Sequence, residues 1–310
     1  MRGSLLLPLF VYQMLCVFNP EHDLCLANGN CHYVPPASAL AFAKAVCGIM
    51  GVVYPSAICL PVSRVGEMYR GTDDDQIVPW GWNMTLKYDL LRQGVSKSLL
   101  PSDSKLEQWR ELQHRTTLLP LQPSSRVVTT EAEVESMLYE CSELVLKAPW
   151  SGSGRGLRWV SGRLGDHDKA WLHKVVREQR CAIAEPRWKV KYDYALEYRV
   201  NNGRLTFVGF SLFESTNGVY RFNHLLDDET ICRRVGITSA QCDELSQWLE
   251  TNVVPYYEGP LGVDCICDDD GQHHISEINL RHTMGLIAHV YLLQHPEAEG
   301  SRFSPMDFVG

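Results

Sequence analysis

The spacing of apolar and polar positions divides the chain in two. Near the start, Leu15–Phe18 is a short apolar run, read as a first buried strand and stopped by the turn signal Asn19-Pro20. Pro36–Met50 carries small and apolar residues at helical spacing, and Gly51–Tyr54 and Ala57–Val62 are two further strand candidates. This alternation predicts a parallel α/β unit over roughly the first 100 residues. Ser102–His114 reads as a helix with Ser102 as N-cap, and Pro120 to Pro123 as a loop. From Val127 the pattern becomes regular. Thr130 caps a helix over Glu131–Cys141, with Glu133 placed as in a capping box. Then follow a strand at Leu144–Lys147, a glycine-rich loop at Ser151–Gly156, a strand at Leu157–Val160, a helix at Asp166–Gln179 and a strand at Cys181–Glu185. Tyr194–Val200 and Leu205–Phe213 form a hairpin across Asn202-Gly203, Ser239–Asn252 a helix, and Gly262–Leu280 a second hairpin. The second part is therefore expected to be α+β.

Hydrophobic residues make up 45% of the 310 and charged residues 21%, an ordinary globular composition. A net charge of −8 argues against a nucleic-acid protein, which normally presents a basic face. Basic residues nevertheless cluster at Arg155 and Arg158 and at Arg187, Lys189 and Lys191, beside the motifs below, as suits a small anionic ligand. Eleven cysteines, an odd number with no C-x-x-C pair, are expected to be reduced thiols of a cytoplasmic protein. Met1-Arg2 followed by Leu5–Val17 has the outline of a secretory signal but lacks a small-residue cleavage site. Leu15-Cys16 is a poor lipobox. Met14 is an alternative start that would make residues 1–13 an upstream extension. No other stretch approaches the length of a membrane span, so neither a membrane nor a nucleic acid is expected as partner.

The most informative segment is Gly262 to Gly285, GVDCICDDDGQHHISEINLRHTMG. If Asp270-Gly271 is a two-residue type I′ turn, Asp264 falls directly opposite Glu277. With a period of two, Asp264, Glu277 and Asn279 share one face, and Val263, Cys265, Cys267, Ile278 and Leu280 share the other, apolar one. Two carboxylates opposed at about 5 Å between Cβ atoms destabilise a hairpin unless positive charge sits between them. An Asp, a Glu and an Asn amide oxygen are hard donors suited to Mg²⁺; the alternative is a solvated acidic face.

A second motif is LVLKAPWSGSGRGLRWV, Leu144–Val160: a buried strand ending in Lys147, then a loop of three glycines, two serines and an arginine. Glycines let backbone N–H groups approach phosphate oxygens, and a strand-end lysine adds a point charge. The loop is neither a Walker A motif nor a dinucleotide fingerprint, since no Gly-Lys-Ser/Thr ends it and its glycines precede a strand. A flexible connection is the alternative. In Ala182–Val200, Glu185 ends an apolar strand before Pro186, and Glu197 sits in the next strand, either facing a ligand or simply outward.

The order strand-Lys-Pro with a Gly/Ser loop, strand-Glu-Pro, Glu-aromatic, then G-x-D…E-x-N-x-R resembles the ATP-grasp superfamily, to which D-alanine–D-alanine ligases and biotin carboxylase belong. The resemblance spans about Lys105 to Gly285. It implies an α/β N-terminal domain followed by an α+β ATP-grasp fold whose two subdomains clasp the nucleotide, with units at 1–120, 121–187 and 188–310. It also implies ATP and Mg²⁺ as cofactors. Lys147 would contact the α- and β-phosphates, and Ser151, Gly152, Ser153, Gly154, Arg155 and Gly156 would fold over them. Glu185 would sit at the adenine hinge and Glu197 at the ribose, with Asp193 competing. Asp264, Glu277 and Asn279 would hold the metal, and Arg281 would act in catalysis with Lys147. An earlier basic residue expected on the nucleotide is Lys105 or Arg115. The implied reaction is ADP-forming ligation of a small-molecule carboxylate to an amine or similar nucleophile. A small-molecule kinase and a non-catalytic nucleotide-binding protein are the alternatives, and the oligomeric state stays open, with a homodimer among the options.

Substrate selection is expected in the loop Asn19–Asn30, where Glu21, His22 and Asp23 could grip a polar group. The spacing of His22, Cys25, Cys31 and His32 is too irregular for zinc. Tandem His273-His274 is expected to be solvated near a hairpin tip, and Pro79–Asn83 (PWGWN) to serve packing.

Overall fold

The computed structural model describes residues 13–72, 75–152 and 156–309. Strands β1 (Met14–Phe18), β2 (Ile58–Pro61) and β3 (Gln76–Pro79) form a parallel sheet in the order β2-β1-β3. Around it lie α1 (His22–Asn28), α2 (Ala37–Val46), α3 (Val65–Met68), α4 (Met84–Arg92) and α5 (Asp103–Leu112). Two antiparallel sheets follow. The smaller, in the order β4-β7-β5-β6, contains β4 (Arg126–Val128), β5 (Glu143–Lys147), β6 (Leu157–Ser161) and β7 (Ala182–Pro186), with α6 (Glu131–Cys141) and α7 (Asp166–Gln179). The larger, in the order β12-β11-β8-β9-β10-β13, contains β8 (Val190–Asn201), β9 (Arg204–Thr216), β10 (Val219–His224), β11 (Gly259–Asp268), β12 (His273–Asn279) and β13 (Arg302–Phe303). Its helices are α8 (Asp228–Val235), α9 (Ser239–Asn252) and α10 (Met284–Gln294).

Local chemistry explains the clearest elements. Thr130 and Glu133 close a capping box at the start of α6, and Ser102 accepts from the Lys105 N–H at the start of α5. Asn202 and Gly203 join β8 to β9 with φ of 52° and 69°, the left-handed pair that a type I′ turn requires. Each sheet has its own apolar cluster. Leu144, Leu146, Leu172 and Ala184 fill the smaller one, and Tyr194, Leu196, Leu261, Val263 and Ile278 the larger, which also takes Leu106, Trp109 and Leu118 from the preceding segment. Trp80, in the PWGWN run, packs edge-on against Phe18 at 5.1 Å.

Several expectations change. Gly51–Tyr54 is not a strand: Cys47–Val52 continues α2 as a 3₁₀ helix, because Ile49, Met50 and Val52 are all buried rather than alternating. Asn19–Asn30 is not a loop throughout, since α1 forms there and ends at Gly29 in the left-handed region. Pro120 lies inside a 3₁₀ helix, Arg115–Leu121. No sequence pattern announced α10, whose residues MGLIAHVYLLQ are apolar nearly all round. It packs on β9 so closely that a Cβ at Gly285 would stand 2.2 Å from Ser211 Oγ. Among the described residues no helix is long and apolar enough to cross a membrane.

Candidate active site

The two antiparallel sheets and the carboxyl ends of β1 and β3 enclose a cavity of about 1270 Å³. On the larger sheet, Asp264 stands opposite Glu277 and Gly262 opposite Asn279, so the two acids and the amide share the cavity face. The route to that register differs from the expected one. The turn has three residues, not two: Gly271 N–H donates to Asp268 O at 3.0 Å and Asp268 N–H to Gln272 O at 3.0 Å, with Gly271 at φ 76°. A bulge between Asp264 and Cys265 then takes up Ser276 as an extra residue and restores the pairing. Ser276 Oγ accepts a hydrogen bond from Lys147 Nζ at 3.1 Å, across the cavity.

Burial and the facing Glu277 and Glu197 push the Asp264 carboxyl up to about 8. Asn279 Nδ2 donates to Asp264 Oδ2 at 3.1 Å, which leaves its carbonyl oxygen for another partner. Glu277 receives Arg115 at 2.7 Å. The donor set is thus two acid side chains and an amide oxygen, one of the acids made costly to charge chiefly by its burial. That chemistry fits a hard divalent cation. Among the described residues no group of three His, Cys, Asp or Glu side chains is arranged to hold a metal, so the remaining ligands would come from elsewhere, as with a cation carried on phosphates.

Lys147, at the end of β5, and Glu185, on β7, are both buried and form an ion pair. The Glu185 carboxylate is therefore turned to the lysine and not to a base at the hinge, and Ser125 Oγ adds a longer contact at 3.4 Å. Glu197 also lines the cavity. It is wholly buried, its oxygens accept from Thr283 Oγ1 at 2.7 Å and Ser211 Oγ at 3.1 Å, and burial pushes it up to about 7. Its register opposite Gly262 places it at the Asp264–Asn279 end of the sheet. Asp193, on the same face of β8, lies four residues away, about 13 Å along the strand. It lines the cavity and accepts from Ser215 Oγ at 2.6 Å.

Arg115 is the basic residue that joins this constellation. It donates to Ser151 Oγ at 2.8 Å and to the Ala148 carbonyl, tying the start of the glycine loop to Glu277. Lys105 is exposed on α5, its Nζ 5.5 Å over the Trp109 ring. Gly152 runs so close to α1 that a Cβ there would stand 2.7 Å from Asp23. Gly156 is described as a turn residue, whereas Ser153, Gly154 and Arg155 lie outside the described residues. Arg281 is held by Asp23 through a bidentate pair at 3.1 and 3.0 Å, so Asp23 of the Asn19–Asn30 segment reaches the site while His22 is buried beneath it against Asn83. Arg115 and Asp23 were weakly signalled in the sequence, and Ser276 not at all, because a bulge leaves no local mark.

Next to Arg281, His282 joins the N-terminal sheet to the larger one. Its Nδ1 donates to the Pro79 and Trp80 carbonyls at 3.1 and 3.2 Å, Nε2 accepts from Tyr54 Oη at 2.9 Å, and Arg199 donates to that phenol at 2.9 Å. Burial pushes the imidazole down to about 4 from its ordinary 6.5. The unfolded chain takes the proton near 6.5 while the folded one stays neutral, so this contribution is present above 6.5 and lost as the pH falls through 4. The stability advantage of the native chain over His282→Gln should therefore shrink by about 3 kcal/mol between neutral pH and pH 4. Urea denaturation across that range checks it, and a constant difference would refute it.

Two antiparallel sheets closing on such a cavity, behind a small parallel sheet, constitute the ATP-grasp fold. The solved structures that share it include D-alanyl-alanine synthetase A from Vibrio cholerae, at 12% identity and TM-score 0.52, covering 91% of this chain and 93% of that one. The biotin carboxylase domain of Hydrogenobacter thermophilus 2-oxoglutarate carboxylase, crystallised with MgADP and bicarbonate, is 11% identical with TM-score 0.51, covering 91% and 70%. N5-carboxyaminoimidazole synthetase from Staphylococcus aureus, complexed with ADP, is 14% identical with TM-score 0.50, covering 90% and 76%. No protein-family model and no curated protein matches the sequence.

Proposed function

We propose that this protein is an ATP- and Mg²⁺-dependent ligase that activates a small-molecule carboxylate as an acyl phosphate for attack by an amine or similar nucleophile. The observation that carries the reading is the meeting across one cavity of Lys147, fixed by Glu185, with the Asp264–Glu277–Asn279 face, through Ser276. Nucleotides bound to three solved structures of this fold support it.

In this reading Lys147 and Arg115 neutralise the phosphates, and the glycine loop from Ser151 to Gly156, including Ser153, Gly154 and Arg155, covers them. The nucleobase lies along residues 187–189, and Asp193, better placed than Glu197, receives the ribose. Asp264, Glu277 and Asn279 would hold Mg²⁺, which when bound offsets charge on the β- and γ-phosphates. Arg281, oriented by Asp23, steadies the acyl group, and the closed cleft excludes water from the acyl phosphate. No side chain need act as general base; positioning does most of the work. The units 1–120, 121–187 and 188–310 correspond to substrate selection, phosphate covering and metal binding.

Hydroxylamine trapping tests the reaction. Incubated with MgATP and pooled carboxylic acids, the protein should release ADP and yield a hydroxamate from one of them. ADP release with a phosphorylated alcohol and no hydroxamate would replace the ligase by a kinase. No ADP release with any acid or alcohol would overturn both.

A further inference from the structure

Residues 187–189 are the whole connection between the two antiparallel sheets, from the end of β7 at Pro186 to the start of β8 at Val190. Three contacts pin this connection to the β11–β12 turn. The Lys189 carbonyl accepts from Asp269 N–H at 2.9 Å, Asp268 pairs with Val190, and Trp188 stacks on His274 with ring centroids 3.8 Å apart and planes within 10°. His274 is itself fixed, donating from Nε2 to Asp268 Oδ2 at 2.8 Å. The other oxygen of Asp268 already closes the turn by accepting from the Asp270 and Gln272 N–H groups at 3.0 and 2.8 Å. The turn is complete without the imidazole, so the ring's place is explained by the indole it supports.

Trp188 is half-buried and lines the cavity together with Val145, Leu157 and Trp159 of the smaller sheet. An indole braced on one face by a fixed ring is a rigid surface for a flat aromatic ligand on the other, with little rotamer entropy left to lose. We infer that His274, oriented by Asp268, is a positioning residue that braces Trp188 against the nucleobase and holds the inter-sheet connection at its working angle. The two histidines expected to be solvated are thus both engaged, His274 against Trp188 and His273 with Tyr194 Oη at 2.8 Å.

The inference rests on the nucleotide reading above, and the test separates the two. Binding of MgADP and of magnesium tripolyphosphate, which has no base, is measured by calorimetry on the native chain, His274→Ala, His274→Phe and His274→Gln. His274→Ala should weaken MgADP about five- to tenfold and leave tripolyphosphate unchanged. His274→Phe, which can stack but not reach Asp268, should recover most of the loss, and His274→Gln should not. Equal weakening of both ligands, unchanged MgADP binding in His274→Ala, or rescue by Gln rather than Phe would overturn the brace while leaving the ligase reading intact. Failure of the native chain to bind MgADP would overturn both. A melting curve for each variant excludes unfolding as the cause.

Discussion

Lys147→Met is expected to lose nucleotide binding and much of the protein's stability together. Lys147 and Glu185 are each about 5% exposed, and apart from the ion pair Glu185 has, among the described residues, only the 3.4 Å contact to Ser125. Removing the lysine strands a carboxylate in a low-dielectric interior, which costs about 3–5 kcal/mol. Replacing both partners is different: Lys147→Met with Glu185→Leu leaves no orphaned charge and should recover most of the loss. The double variant should still fail to bind MgATP, since the charge proposed to meet the phosphates is gone. Urea midpoints at constant slope give the stabilities and calorimetry the binding. A single variant as stable as the native chain, or a double variant that binds MgATP, would refute the role given to this pair.

The second large effect is on ligand-induced stabilisation. A ligand at about a hundred times its dissociation constant raises native stability by about 2.7 kcal/mol, which in a protein of this size moves the melting temperature by roughly 4 °C. MgATP should produce such a shift in the native chain and ATP with a chelator a smaller one. In Glu277→Ala the magnesium-dependent part should vanish, because Asp264 loses the acid directly opposite it and Asn279 the acid two residues before it on the same strand. The variant should also melt lower without ligand, since Arg115 loses its 2.7 Å partner and keeps only Ser151 and the Ala148 carbonyl. A full magnesium-dependent shift in Glu277→Ala would remove Glu277 from the metal site.

Much of this arrangement was legible in the sequence, and one part was legible for the wrong reason. The facing of Asp264 and Glu277 follows from a two-residue turn at Asp270-Gly271. The chain instead makes a three-residue turn and regains register with a bulge at Ser276. The shifts cancel, and only the second delivers a hydroxyl to Lys147. The sequence left open whether Glu197 faces a ligand or points outward, and nothing within β8 could say which end of the cavity it meets. That depends on pairing with β11, some 65 positions later (Glu197 with Gly262). The Lys147–Glu185 pair was invisible for the same reason: each residue lies near the end of its own strand, and only the antiparallel alignment of β5 with β7 brings them together. Helix α10 escaped because a segment apolar all round carries no period to read.

The Asp23–Arg281 pair joins residues 258 positions apart. On the ribosome, Asp23 emerges early and waits through the synthesis of the parallel sheet, the smaller antiparallel sheet and the larger one as far as β12 before its guanidinium partner exists. Until then Asp23, which lines the cavity, lacks the guanidinium that holds it in the folded chain. Closing a loop of that length adds little entropic cost over a shorter one, yet it makes this contact among the last that can form. A chain cut before Arg281 would contain every strand of its smaller sheet and yet lack this pair, along with α10 and β13, which follow it.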